Sequence, residues 1–462
     1  MALIVKKFFS RGTMKSRGFL LLAFFSLALT LPGCRKGAEE RLPNIILITV
    51  DALRADHLGT YGYGSDVSPR LDALAGRSTV YEFAYCPIPK TSASLASMMT
   101  GLHPLVHKTR PNRGVLAADH ITLAEALKMR GYTTRAVVDN ASLSRKFKFH
   151  QGFEDYIEVW NHVEEKTDST AFITDRVLEW LEAGPAQPFF LWVHYIEPHS
   201  PYRPPSEFIE NRSGGRILEE LQKAVIVYPQ KYRPAGADEG YFHSLYEASV
   251  KYTDREIGRI IDLFDGRGYD KNTILIITSD HGEELGEYNF FYNHGPLPFN
   301  SSVRIPLIVY EPGVRSRRIR YPVSLMDLYP TLLDRAGLVS ARSIQGRELT
   351  ERNPERKLYI LAICDDNRTY SVVYRRFHYV RLEPGIAAEL GLEEEYLFNI
   401  HLDPLERNNL IKQERSLADL LVNDFRLVQA QSVLAEDSRE KGPELSENEI
   451  RNLKSLGYIK DP

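Results

Sequence analysis

Three apolar runs in this chain end in side chains that can bind a cation or an anion. NIILITVDALRADHLG carries one run into Asp51, and NTILIITSDHGEELG carries another into Asp280 and His281. Such a run reads as a buried strand of a parallel sheet, and open α/β sheets bind ligands outside the carboxyl ends of their strands. Two carboxylates and one imidazole brought to one edge could hold a single divalent cation. Zinc, manganese, magnesium and calcium all fit in principle, and a nitrogen ligand beside few carboxylates tilts the choice toward zinc or manganese. A hydroxyl could take the fourth position, and Thr91 is the candidate. Coordination would lower its pKa and aim it as a nucleophile. FLWVHYIEPHSPY places His194 and His199 at the third strand end, and His294 follows His281 by 13 residues. These three histidines would contact the outer oxygens of an anion or protonate a leaving group.

The elements that must position these groups follow from periodicity. Ile45–Val50 and Ile274–Thr278 read as the two ligand-bearing strands, and Phe189–Tyr195 as the third. In PIPKTSASLASMMTG, prolines give way to small residues, with Leu95, Met98 and Met99 at helical spacing. A helix there starts near Thr91 or Ser92 and ends before Gly101. Its N-terminus offers unpaired N–H groups to a tetrahedral anion, whereas on the plainer reading the hydroxyl only caps the helix. Further strands are expected at Tyr81–Tyr85, Thr134–Asp139 and Arg304–Val309. Helices are expected from Ser68-Pro69 and over Thr122–Arg130, Thr170–Ala183, Leu245–Phe264 and Met326–Ala336. This alternation implies an α/β fold with a large sheet between helices. Residues 203–240, rich in Pro and Gly, read as an insertion. After about Pro354, LYILAICDD, TYSVVYRRFHYVRL and EEYLFNI read as short antiparallel strands of a smaller α+β lobe, followed by helix over Glu414–Gln431 and a short terminal helix.

At 462 residues and 43% apolar, the chain can bury a large core beside a smaller one. A net charge of −3 gives no footprint for nucleic acid, and three cysteines (Cys34, Cys86, Cys364) make no disulfide scaffold. Lys15 and Arg17 precede FLLLAFFSLAL and then LPGC, an export signal too short for a membrane span. Its end resembles a bacterial lipoprotein box, which implies a lipid anchor on Cys34. Residues 1–33 are then signal, 34–42 linker, 43–350 catalytic domain and 351–462 the small sheet lobe with its helical tail. The expected location is the cell envelope, facing the periplasm, on the outer membrane because Arg35 replaces the aspartate of inner-membrane retention.

From Pro43 to Gly337 the sequence resembles the sulfatase-like branch of the alkaline phosphatase superfamily. TVDALRADHLGTYGY, SASLASMMTG, TLAEALKMRGYTTRAVVDN, QGFEDY, FLWVHYIEPHSPY, ITSDHGEELGE and a later His-Gly match family landmarks in order. The resemblance implies a large α/β domain with a small C-terminal sheet domain, and cleavage of sulfate or phosphate esters, with some members transferring phospho-groups between lipids and cell-envelope polymers. Sulfatases carry a Cys or Ser that becomes formylglycine; counting back from Thr100-Gly101 puts Thr91 there, and a threonine oxidises to a ketone instead. Cys86 lies five positions too early. Ala52 stands where sulfatases tend to have a second aspartate, and Tyr288 where a histidine is usual. The pattern is therefore similar to the phosphotransferases and phosphodiesterases of the superfamily. The first reading is a hydrolase or transferase of phosphate esters, with Asp51, Asp280, His281 and Thr91 on one metal. His199 and His294, with Lys108 or Lys90, would balance charge on the transferred group. The second is a sulfatase that does not use formylglycine, and the third an inactive envelope-binding lipoprotein.

Overall fold

The computed structural model describes residues 41–111, 114–163, 168–209, 237–362, 369–433 and 443–456. The signal segment, Cys34, Cys364 and most of the 203–240 insertion lie outside the described residues.

Eight strands form the main sheet: β1 Asn44–Val50, β2 Thr79–Tyr81, β3 Thr133–Val138, β4 Asp155–Glu158, β5 Phe189–Tyr195, β6 Thr273–Ser279, β7 Leu307–Tyr310 and β8 Arg317–Ile319. Their order is β8-β2-β7-β6-β1-β5-β3-β4. β1 lies parallel between β5 and β6, with Val50 level with Tyr195 on one side and Ser279 on the other. That register brings the residues after all three strands to one edge. β7 runs antiparallel to β6 and β2, so the sheet is mixed.

Every residue of β1, β5 and β6 is buried, as expected for strands covered on both faces. The period of two splits β1 between two cores. Ile45 and Leu47 join Leu95, Met98 and Met99 of helix Thr91–Thr100 and Leu332 of helix Leu328–Arg335. Ile46, Ile48 and Val50 join Ile173 and Val177 of helix Ser169–Glu182 and Ile257 and Ile260 of helix Ala237–Gly266. The smaller C-terminal domain has four antiparallel strands: Lys357–Leu361, Tyr370–Tyr374, Phe377–Arg381 and Glu395–Asn399. Helix Arg415–Val433 covers this sheet, with Phe425 stacked on Tyr370 at 3.7 Å between ring centres. The last helix, Glu447–Ser455, returns to the large domain, where Asn452 Oδ1 accepts a hydrogen bond from the Ala141 amide at 2.9 Å.

Two sequence expectations need correction. The stretch Tyr81–Tyr85 is not one strand: β2 ends at Tyr81, a turn at Glu82-Phe83 follows, and Ala84–Tyr85 pairs in a separate three-stranded sheet. Arg304–Val309 likewise divides at Pro306 into Arg304–Ile305 and β7, because proline has no N–H to give a ladder.

Candidate active site

Asp51 follows β1, and Asp280 and His281 follow β6; all three are completely buried. Between the two strand ends, Ala52 takes a left-handed backbone (φ 58°) and donates its amide to Asp280 Oδ1 at 3.3 Å. A residue with a Cβ is rare in that conformation, and such strain gathers at functional sites. Helix Thr91–Thr100 points its N-terminus at the same edge. Lys90 is its extended N-cap, and Ser94 Oγ donates to the Asp280 carbonyl at 2.7 Å, tying the helix to β6. At its other end Gly101 adopts φ 68°, where a Cβ would sit 2.9 Å from the Tyr329 ring, so the helix needs glycine to turn there.

Thr91 Oγ1 lies 3.4 Å from Asp51 Oδ2 and 3.2 Å from His281 Nε2. The same His281 nitrogen is 3.3 Å from Asp280 Oδ2 and 3.5 Å from Asp51 Oδ1. Its Nδ1 is bonded to the Gly282 carbonyl at 2.9 Å, which leaves the Nε2 lone pair facing the carboxylates. Burial lowers the His281 pKa to about 3, so the ring is neutral, as a ligand must be. His194 was expected to meet an anion's outer oxygens, yet it stands at the cation edge. It lies level with Thr49, whose Oγ1 is 2.8 Å from His194 Nδ1, and its Nε2 is 3.4 Å from Asp51 Oδ2.

A divalent cation fits the donors present. Asp51 Oδ1, Asp280 Oδ2 and His194 Nε2 are buried without a hydrogen-bond partner among the described residues. Buried polar atoms are nearly always bonded, so three orphans from neighbouring residues ask for a common partner. One ligand atom each from Asp51, His194 and Asp280 lies within 4.8 Å of the others. The electrostatics agree. Burial opposes ionising Asp51, but the nearby His199, His194 and His281 hold its carboxyl well below the usual range. Burial and the Asp51 charge push Asp280 well above it. A cation would relieve both.

The other expected residues fall into two groups. His294 stacks on His281 with ring centres 3.9 Å apart, bonds the Pro89 carbonyl through Nδ1 at 2.9 Å, and faces His199 Nε2 with its own Nε2 at 3.1 Å. Lys90 is buried at the helix start. Burial pulls its pKa down to about 8 against the charges of Asp51, Glu283 and Asp280. Lys108 instead closes the short helix Pro104–His107 in a left-handed conformation (φ 54°), half-buried. Cys86 is buried, and burial, with Asp280 nearby, pushes its thiol well up, so it is no nucleophile.

One site residue escaped the sequence reading. Asn140 Nδ2 donates to Asp51 Oδ2 at 2.9 Å. AVVDN has the same form as the two ligand-bearing runs, an apolar strand ending in polar residues, and that signal could have found it.

Comparison with known proteins bears on this arrangement. The Sulfatase family model matches residues 43–338. The chain belongs to the sulfatase family. It is 26% identical over 455 residues to an arylsulfatase of Clostridium perfringens (strain 13 / Type A), covering 80% of this chain and 91% of the relative. Two solved structures share the fold of this sulfatase-family enzyme. BT4656 in complex with D-glucosamine-2-N,6-O-disulfate has TM-score 0.70 at 18% identity, over 87% of this chain and all of that one. The phosphonate monoester hydrolase of Agrobacterium radiobacter has TM-score 0.66 at 20% identity, over 88% of this chain and all of that one.

Proposed function

We propose that this sulfatase-family enzyme hydrolyses sulfate esters, with Thr91 as the attacking residue. One observation carries the reading: Thr91 Oγ1 stands within 3.4 Å of both Asp51 and His281, at the N-terminus of a buried helix. The preference for sulfate over phosphate, which reverses the order expected from sequence, is supported by the family and by relatives named arylsulfatase.

Asp51 and Asp280, with His281 and His194, would hold one divalent cation, zinc or manganese by the nature of the donors. When bound, the cation supplies a Lewis acid that lowers the hydroxyl pKa and screens the ester oxygens. Thr91 then attacks in line with the leaving oxygen, the bond to the alcohol breaking as the hydroxyl proton is lost to solvent; water then cleaves the threonine ester, and the positive end of the helix faces the equatorial oxygens. His199 and His294 each donate Nδ1–H to a backbone carbonyl, so their Nε2 lone pairs face each other at 3.1 Å, and a proton taken up from solvent between them would be passed to the leaving oxygen. Lys90 supplies positive charge beside the carboxylates.

Phosphate esters are the second reading, and Thr91 favours it. Threonine cannot yield the formylglycine aldehyde, and its direct ester with the transferred group must be cleaved by water or an acceptor alcohol. The phosphonate monoester hydrolase with the same fold lends it support. Parallel assays with an aryl sulfate, a phosphate monoester and a phosphodiester decide. Sulfate turnover dominant by kcat/KM upholds the first reading; dominant phosphate or diester turnover replaces it with the second.

The location is a proposal of the same standing: Cys34 carries a lipid and holds the enzyme on the cell envelope, on the outer membrane. Fatty-acid labelling that persists in Cys34→Ser would end it.

A further inference from the structure

The edge of the main sheet opposite Asp51 and Asp280 gathers a different set of side chains. β1, β3, β5 and β6 start there, and the loops that feed them touch one another. Arg41 donates to Gln187 ahead of β5, Asn272 ahead of β6 donates to the Leu42 carbonyl at 3.2 Å, and the Thr133 amide donates to the Pro188 carbonyl at 3.0 Å. Helices Leu123–Met129 and Leu328–Arg335 end at the same edge, joined where Arg130 Nε donates to the Ala336 carbonyl at 3.1 Å. β7 runs toward it as well, with Tyr310 Oη donating to the Asp270 carbonyl at 3.1 Å. At and just past these ends the chain exposes apolar side chains: Met129 is 72% exposed, Val339 96% and Val314 40%.

The charges of this edge are lopsided, although the whole chain carries −3. Arg41, Arg130, Arg267, Lys271 and Arg315 are exposed and have no carboxylate partner among the described residues. Most acids there are answered within the chain: Glu154 by Lys128, Asp265 by Arg77, and Glu311 and Asp334 by Arg335. Only Glu182 and Asp270 have no cationic partner among the described residues, so positive charge is left in excess.

We propose that this edge rests on an anionic phospholipid surface, and so holds the reacting centre turned away from the membrane that carries the enzyme. The inference takes from the envelope location only that the attachment precedes Arg41; the ester cleaved does not enter it. Arg41 follows Cys34 by seven residues, a reach of at most about 25 Å, so a lipid on Cys34 keeps this edge close to the bilayer. Apolar tips set among cations suit a headgroup layer, which takes up both, whereas a protein interface needs a contiguous apolar centre. The orientation bears on the substrate. β1 and β6 are seven residues long, which puts Asp51 and Asp280 about 23 Å from the lipid-facing edge. Headgroup esters of the same leaflet are then out of reach, and the ester must come from a soluble or polymer-borne molecule.

The test places a photoreactive benzoylphenylalanine in the full chain at Met129 or Val339. The control position is Ile121, which is 54% exposed at the other end of helix Leu123–Met129. The chains are held in vesicles of phosphatidylethanolamine and phosphatidylglycerol in equal parts. Illumination is expected to join lipid to the Met129 and Val339 positions at least five-fold more than to the Ile121 position. Arg267→Glu together with Lys271→Glu should cut that yield at least five-fold without changing thermal unfolding, and replacing phosphatidylglycerol by phosphatidylcholine should do the same. Equal labelling at all three positions, cross-links to a second copy of the chain in place of lipid, or yields indifferent to both charge changes overturn the proposal. The vesicles accept whichever anchor the chain carries. Adducts in the expected pattern with an unlipidated Cys34 therefore uphold the orientation and defeat only the lipid-anchor reading.

Discussion

Two buried aspartates of the same large domain show opposite designs. Asp327 is completely buried and saturated. Arg356 binds it in a fork at 2.6 and 2.7 Å, and the amides of Ser324 and Arg347 donate to it at 2.8 Å each. Asp280 is equally buried but keeps one oxygen without a hydrogen-bond partner among the described residues, next to a second carboxylate and the neutral His281 ring. The first arrangement has its counterion within the chain and closes on itself. The second sets two carboxylates against the single charge of Lys90, and a strand edge that gathers carboxylates and imidazoles in this way is built for a cation supplied from outside.

The largest effect sharpens what the open site is for. Thr91→Ala should lower kcat by about 10³-fold or more, the scale of losing a nucleophile. Cation affinity should stay within a few-fold, because Asp51, Asp280 and the two histidines remain. Activity near that of the parent would show that the attacking group lies elsewhere.

The next pair sets the two aspartates against each other. Asp327→Asn strips the partner from a buried guanidinium and should destabilise the fold by about 3 kcal/mol. Asp280→Asn replaces a carboxyl whose ionisation burial and Asp51 already oppose, and should leave the cation-free protein at least as stable as its parent, while abolishing the gain that zinc or manganese confers. A tight cation should stabilise the parent by about 2.7 kcal/mol at a hundred-fold excess over Kd. Thermal unfolding with and without chelator reads all of this. Equal destabilisation by both substitutions would erase the distinction.

Asn140 tests how far the open site extends. It is the outer partner of Asp51, and Asn140→Ala should cost about 10- to 100-fold in cation affinity or activity, the range for residues that orient ligands. An effect on stability alone would place Asn140 with the closed arrangements.

The same division governs how much of the molecule was legible in the sequence. Asp51, Asp280 and His281 announce themselves because an apolar run of period-free character must be a covered strand, and the residues just beyond it must reach the edge. Helix Thr91–Thr100 could be read from its small residues and its glycine stop. The role of His194 could not: its distance to Asp51 depends on the parallel register that sets it beside Thr49, a relation across 145 residues. The cut at Pro306 was written in the sequence, but the separate sheet that Ala84–Tyr85 and Arg304–Ile305 form depends on their mutual pairing. Glu197 and Arg451 share a cavity only because the last helix folds back, and nothing in its local pattern says where it lands.

Histidines give the smallest and cleanest version of the comparison. His103 and His107 are buried like His194 but have both nitrogens used. His103 Nδ1 accepts from the Leu105 amide and Nε2 donates to the Tyr359 carbonyl; His107 Nδ1 accepts from the Thr109 amide and Nε2 meets Ser97 Oγ at 2.8 Å. Burial lowers their pKa values to about 4 and about 3. In the unfolded chain each takes a proton near pH 6.5, while in the folded protein it stays neutral. Their contribution is therefore complete above pH 6.5 and is lost as pH falls toward 4, because only the unfolded state gains protons there. Unfolding free energy should drop by about 2 kcal/mol per histidine by pH 5. His107→Gln, which keeps a donor for Ser97, should flatten that slope, as denaturant titrations at pH 7 and pH 5 would show. An unchanged slope would mean that His107 already takes a proton in the folded protein, and that its hydrogen bonds do not hold it in the closed, neutral form.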